Sequence, residues 1–101
     1  MPFRIARLTL GHGRPTRRGE IGYPLTLYLT DGAILWRAAL MFARGRGLFI
    51  KVPPTLTYKL PTEPAAHKIT LSGQERELLR ESITALLAPR LRAFLQGHTT
   101  A

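Results

Sequence analysis

Cysteine is absent from this chain, which excludes disulfide bonds and thiolate metal sites. No apolar run approaches the length of about 18 residues that a membrane-spanning helix needs. The chain also does not open with the basic and apolar segments of a secretory signal. We therefore expect a cytoplasmic protein without a membrane partner. Residues 1–101 have the length of a single domain.

Acidic residues are also scarce, because six Asp and Glu stand against fifteen Lys and Arg, for a net charge of +9. Two segments, residues 1–19 and 37–51, contain no acid at all. Their basic residues are Arg4, Arg7, Arg14, Arg17 and Arg18 in the first segment and Arg37, Arg44, Arg46 and Lys51 in the second. Such a field attracts polyanions through counterion release. Codon usage that favours arginine, together with ordinary solubility charge, is the alternative explanation.

Residues that serve catalysis or metal binding are few. The three histidines, His12, His67 and His98, show no H-E-x-x-H spacing, and no serine lies in a G-x-S-x-G turn. Gly45 and Gly47 lack the other residues of a phosphate-binding P-loop. We expect a protein that is not an enzyme and that has no cofactor, metal or small-molecule substrate. His67 is interpreted as a strand residue that hydrogen-bonds to backbone.

Alternating apolar residues predict strands in the first third of the chain. Residues 3–10 fit a first strand, and residues 11–20, with their glycines and arginines, fit an exposed basic loop or mobile arm. Residues 25–29 place leucine at every second position, as a half-buried strand does. The pair Asp31-Gly32 then predicts a hairpin with a two-residue type I′ turn.

The segment 33–43 is predicted to be the partner strand of this hairpin. It is apolar on both faces except at Arg37, and its Ala-Ala-Leu-Met run makes a helix the alternative. A glycine-rich turn at 44–47 follows, and residues 48–52 form a second short strand. The prolines at 53–54 end that strand because they cannot donate to a ladder.

A C-terminal amphipathic helix is predicted over residues 72–96. Ser72 and Glu75 fit a capping box, and Pro89 is expected to kink the helix or to begin a second one. Residues 98–101, beyond the predicted stop at glycine, are expected to fray. The apolar stripe of the helix consists of Leu79, Ile83, Leu86, Leu87, Leu91, Phe94 and Leu95.

These elements predict an α+β fold, in which the C-terminal helix packs on or beside an antiparallel sheet of four to five strands. Trp36 and Phe42 are expected in the core, whereas Tyr28 is expected on an exposed sheet face or at a subunit interface. Arg76 and Arg80 lie among glutamates and are interpreted as surface ion pairs.

The Gly-Leu-Phe-Ile-x-x-Pro sequence at 47–53 and the Ala-His-Lys-Ile sequence at 66–69 follow an apolar strand and precede the helix. This order of motifs resembles the stage V sporulation protein G family, which are small bacterial nucleic-acid-binding regulators. The similarity covers residues 3–94, with few gaps after Ala33. The resemblance implies a nucleic-acid-binding homodimer.

The chain departs from the pattern of that family at four places. Val52 stands where the family has Met, and Lys68 stands where it has the Pro of a His-Pro pair. A Pro-Thr-Leu triplet at 54–56 replaces a Ser-Lys-Arg-like triplet, and Ala-Ala-Leu at 38–40 replaces Asp-Ile-Arg. The chain is therefore identified as a divergent member.

The resulting functional hypothesis is a regulator that binds DNA or RNA through phosphate contacts. Arginine outnumbers lysine twelve to three, and its guanidinium forks phosphate oxygens. The expected contacts are Arg44, Arg46 and Lys51 at the second hairpin, Arg14, Arg17 and Arg18 in the loop, and Arg90 and Arg92 at the helix end. A homodimer is also expected, because one helix cannot cover both apolar faces of the 33–43 strand. The alternative is a small adaptor whose basic face docks an acidic protein.

Overall fold

The structure is a computed structural model that describes residues 3–16 and 18–99, with side chains as far as residue 90. The described residues form strands and one C-terminal helix, so the predicted α+β fold is confirmed. The elements are β1 Ile5–Leu10, β2 Arg14–Pro15, β3 Ile21–Leu29, β4 Ile34–Trp36, β5 Ala39–Ala43, β6 Gly47–Lys51, β7 Thr55–Lys59, β8 His67–Thr70 and α1 Gly73–Thr99.

The strands form one antiparallel sheet around the long strand β3. β1 and β2 pair with one edge of β3, while β4 and β5 pair with its other edge. β6 then pairs with β5, β7 pairs with β4, and β8 lies outermost against β7. β1 and β2 occupy one position across the sheet, and so do β4 and β5, and β6 and β7. The eight strands therefore occupy five positions, and these interruptions raise the strand number above the predicted four to five.

A β-bulge divides the segment 33–43, which the sequence predicts as one strand. Leu27 pairs with Leu35, and Pro24 pairs with Ala39. Between these two pairs, β3 spans three residue steps and the facing segment spans four. The additional residue is Arg37, which has φ of 95° and is the one non-glycine residue at positive φ among the described residues. A bulge bends the strand and re-aims a side chain. The prediction of a continuous strand is therefore wrong at this residue.

The hairpin predicted at Asp31-Gly32 is present, but its turn is of another kind. Leu29 and Ala33 face each other, so the connection has three residues, and only Gly32 takes positive φ, at 89°. A type I′ turn needs positive φ at both central residues. Instead, the side chain of Asp31 accepts a hydrogen bond from the backbone N–H of Ala33 at 3.0 Å.

The core lies between one face of the sheet and α1. The leucines at every second position of residues 25–29 are buried, which confirms the predicted alternation. Leu79, Ile83 and Leu87 of the helix pack into the same cluster. Leu86, although predicted in the apolar stripe, is 39% exposed. Leu91, Phe94 and Leu95 of that stripe lie outside the side chains that the structure describes.

The predicted capping box begins the helix. Ser72 Oγ accepts a hydrogen bond from the backbone N–H of Glu75 at 3.1 Å, and Glu75 Oε1 accepts one from the Ser72 backbone N–H at 2.9 Å. The hydrogen bond from the Ser72 backbone N–H to the carboxylate holds the pKa of the Glu75 carboxyl below its ordinary value, and the Ser72 side chain lowers it further. The helix contains Pro89 and continues to Thr99, past the glycine where the sequence predicts its end.

Two arginines join the helix to the sheet, which the interpretation as surface ion pairs did not foresee. Arg76 Nε donates to the backbone carbonyl of Val52 at 2.9 Å, and Arg80 Nε donates to that of Ile50 at 3.2 Å. Arg80 also pairs with Glu77. Because both acceptors lie more than twenty residues away in sequence, local charge spacing could not reveal them.

Candidate nucleic-acid interface

The face of the sheet opposite the helix, called the open face here, carries the side chains that alternate with the core leucines. The registers arrange three rows of cross-strand neighbours on it. The rows are Arg14–Gly22–Met41–Phe49, then Pro24–Ala39–Lys51, then Trp36–Thr57–Lys68. Each row contains one basic residue, so the positive charge is spread across the width of the sheet.

An open groove of about 890 Å³ crosses this face. Four basic residues line it, namely Arg14, Arg37, Lys51 and Lys68, and its lining includes no acidic residue. Trp36 and Met41 contribute apolar surface to it. Thr26, Thr55 and Thr57 add hydroxyl groups that can donate or accept hydrogen bonds. A concave, basic, acid-free surface favours a polyanionic ligand.

The bulge at Arg37 brings a basic side chain next to the tryptophan. In a regular strand, consecutive residues point to opposite faces, but here Trp36 and Arg37 both line the groove. Arg37 Nε donates to Oγ1 of Thr57, the cross-strand partner of Trp36, at 3.3 Å. Both partners of this bond line the groove, so the bond holds the Arg37 side chain there.

The predicted residues of the second hairpin lie at and beside the groove. Lys51 lines it, and Arg44 and Arg46 are exposed at the tip of the turn between β5 and β6. The guanidinium of Arg46 lies 4.1 Å from the ring centroid of Phe49, which shares the open face with Lys51. The tip therefore continues the basic surface along β6.

The segment 11–20 is anchored to the sheet and is not a free arm where the structure describes it. Its residues Arg14 and Pro15 pair with β3, and the Thr16 N–H donates to the Glu20 carbonyl at 2.8 Å. Gly13 passes so close to Tyr23 that a Cβ there would lie 2.6 Å from the ring. Arg14 is thereby held in the groove.

Two other predicted contact residues, Arg18 and Arg90, do not line the groove. Arg18 is exposed in the turn that leads to β3. Arg90 donates to the Leu8 carbonyl at 3.3 Å from the helix, which packs on the opposite side of the sheet. Arg17 lies outside the described residues, and Arg92 lies outside the described side chains.

Sequence reasoning missed Arg37 and Lys68 as members of the groove. Arg37 belongs to a basic cluster, but the apolar residues around it predict a strand position and not a contact residue. Lys68 is separated from the other basic residues in sequence, and only the β4–β7–β8 registers bring it close to them. Arg7, whose guanidinium lies 3.9 Å from the Tyr28 ring centroid, extends the basic surface beyond the groove.

Two aromatic residues expected in the core lie elsewhere. Trp36 is half-buried in the groove, and Phe42 is 44% exposed. Phe42 does point to the core side of the sheet, but the helix meets β6 at Ile50, and Phe42 with its partner Leu48 lies further toward the hairpin tip. Ile21, Phe42 and Leu48 are cross-strand neighbours and form an exposed apolar patch.

The histidine of the family-like segment bonds to a carboxylate and not to backbone. His67 Nε2 lies 2.5 Å from Glu63 Oε2, and both side chains are exposed to a large extent. Among the described residues, no group of three or more His, Asp or Glu side chains could hold a metal ion. The other acidic residues lie in turns or on the helix.

Comparisons with protein-family models, with curated proteins and with solved structures gave no match to this chain. The resemblance to the stage V sporulation protein G family therefore rests on the motifs in the sequence. Within the described part of the chain, no helix has the length and apolar character needed to cross a membrane.

Proposed function

We propose that the protein is a small nucleic-acid-binding regulator and that its open face holds the phosphate backbone of DNA or RNA. The observation that carries this proposal is the groove, in which four basic residues surround an apolar and hydroxylated floor without any acid. Arginine and lysine neutralise phosphates and release counterions, and this release supplies most of the affinity of sequence-independent binding. The motifs shared with the family of bacterial regulators point to the same function.

The second candidate is an adaptor that docks an acidic protein on the same face. Two features of the groove favour nucleic acid over this alternative. A half-buried tryptophan in the groove offers a flat surface for a base, and the guanidinium of Arg46 lies over the Phe49 ring nearby. The hydroxyl groups of the threonines along the groove, Thr16, Thr26, Thr55 and Thr57, suit sugar and phosphate oxygens.

A homodimer is part of this proposal. The exposed patch of Ile21, Phe42 and Leu48 joins three neighbouring strands, and single exposed apolar residues would not form such a continuous surface. The patch lies on the side of the sheet opposite the groove, so pairing through it would leave the groove accessible. Two copies would present two basic grooves to one nucleic acid.

Binding to single-stranded DNA, duplex DNA and RNA, measured by fluorescence anisotropy over a series of salt concentrations, tests the proposal. Nucleic-acid binding gives a logarithmic dependence of affinity on salt, with a slope of about −0.7 to −0.9 per phosphate contact. We expect a steep slope for at least one of the three ligands. Absence of binding to all three at low salt would contradict the proposed function and favour the adaptor.

A further inference from the structure

Trp36 is the only tryptophan in the chain, and it lies half-buried in the groove of the open face. We propose that the groove binds single-stranded nucleic acid and that the Trp36 indole stacks on one of its bases. This inference rests on the proposed function and adds the form of the ligand. It concerns contacts with phosphates and base faces, which single-stranded DNA and RNA share.

The position of the indole favours an unpaired strand. In a duplex, each base face is covered by the neighbouring base pairs, so a ring in a groove has only phosphates and base edges to meet. An unpaired strand can turn a base face toward an aromatic side chain, and proteins that bind single strands combine such rings with a basic groove. Duplex binding would leave Trp36 without a contact.

The size of the groove agrees with this ligand. The groove is open to solvent along the sheet and has a volume of about 890 Å³. A short stretch of one strand can enter such a space.

Two basic residues lie close enough to the indole to hold the phosphate next to a stacked base. Thr57 lies between Trp36 and Lys68 on adjacent strands, and strands are about 4.8 Å apart, so Lys68 starts about 10 Å from Trp36. Arg37 follows Trp36 directly, and Thr57 engages its Nε. The same guanidinium has further N–H groups, and an arginine fork of such groups can bind phosphate oxygens.

A different interpretation makes Trp36 a structural residue that only fills the floor of the sheet. The two interpretations differ in an observable, because a stacked base quenches indole fluorescence and a structural tryptophan would not respond to the ligand. Since the chain has one tryptophan, the whole indole signal comes from this site. The signal can therefore be read in the unmodified protein.

The experiment titrates the wild-type protein with a short mixed-sequence DNA strand, with the same strand annealed to its complement, and with the RNA of the same sequence. Both single strands are expected to quench Trp36 fluorescence to saturation. The duplex is expected to bind more weakly and to leave the fluorescence nearly unchanged. A difference between the DNA and RNA arms would identify which sugar the groove prefers.

A matched pair of variants gives the second readout. Trp36→Leu removes the ring, and since stacking contributes about 1–3 kcal/mol per base, affinity for the single strand should fall roughly 5- to 150-fold. Trp36→Phe keeps a ring and should stay within a few-fold of wild type. Duplex affinity should not change in either variant, and thermal melting checks that both are folded.

Equal binding of duplex and single strand with unchanged fluorescence would overturn the inference while leaving the proposed function in place. The same holds if a folded Trp36→Leu protein binds the single strand as tightly as wild type. If no nucleic acid binds at all, the proposed function itself fails, and the inference fails with it. If Trp36→Leu does not fold, the wild-type titration alone decides between the two interpretations.

Discussion

Arg37 Nε donates a hydrogen bond to Thr57 Oγ1 at 3.3 Å across two adjacent strands. The bond depends on the bulge, because Arg37 can reach Thr57 only where its backbone leaves the regular strand with φ of 95°. A non-glycine residue in this region is unfavourable and is typical of functional sites. The bulge therefore places a basic side chain in the groove at the cost of an unfavourable backbone conformation.

Replacement of Arg37 by glycine should weaken nucleic-acid binding and leave the stability of the fold nearly unchanged. Relief of the left-handed conformation, about 1–2 kcal/mol, offsets the lost hydrogen bond, about 0.5–1.5 kcal/mol. We expect the free energy of unfolding in urea to stay within about 1 kcal/mol of wild type, while the salt slope of single-strand binding falls by about 0.7. Arg37→Lys, which keeps the charge, is the control. Unchanged affinity in Arg37→Gly would remove this residue from the interface.

The tip of the second hairpin should contribute to nucleic-acid affinity and only little to the stability of the fold. Arg44 and Arg46 are exposed, and Arg46 stacks on Phe49 near the surface, where such contacts contribute only about 0.5–1 kcal/mol. The double change Arg44→Ala with Arg46→Ala should lower nucleic-acid affinity for all sequences alike and reduce the salt slope by up to about 1.4. The melting temperature should change little. If affinity and slope both survive, the tip makes no phosphate contact.

The two helix arginines should matter for stability and not for binding. Arg76→Ala would leave the Val52 carbonyl without its donor, and Arg80→Ala would do the same to the Ile50 carbonyl. Each change should cost about 1–3 kcal/mol of stability. Chemical denaturation measures this loss, and Glu81→Ala on the same helix should change stability by less than about 0.5 kcal/mol. Equally small effects of all three changes would restore the interpretation of these arginines as surface ion pairs.

The apolar patch should hold two copies together. We expect wild-type protein to sediment as a dimer at micromolar concentration, because burial of Phe42 and Leu48 against a second copy removes exposed apolar area from water. The double change Phe42→Gln with Leu48→Gln should shift the protein toward monomer. The matched change Leu78→Gln with Leu86→Gln, at exposed helix positions, should not. A monomeric wild type would contradict the dimer, and an unaffected variant would move the interface elsewhere.

Features that are set by residues close together in the sequence could be predicted well. The alternating leucines of residues 25–29, the hairpin at Asp31-Gly32 and the Ser72–Glu75 capping box depend on neighbours within a few residues. The bulge at Arg37 could not be predicted, because the apolar run around it is uniform and contains no glycine. Tertiary pairing, and not local preference, sets the backbone there.

The site was predicted only where its residues cluster in sequence. Arg14 and Lys51 line the groove, and both belong to the two acid-free segments that the sequence marks as basic clusters. Lys68 joins them only through strand pairing, so no local pattern marks it. The place of Trp36 was also missed, since apolar character alone does not tell which face of a strand meets the helix.

The salt dependence of single-strand binding in a groove variant shows directly whether nucleic acid binds in the groove. Lys51→Gln with Lys68→Gln removes two charges that line the groove, whereas Arg4→Gln with Lys59→Gln removes two that do not. With about 0.7 per phosphate contact, we expect the groove variant to lose about 1.4 from the salt slope and the control variant to keep the wild-type slope. An unchanged slope in the groove variant, or equal losses in both variants, would contradict binding through the groove.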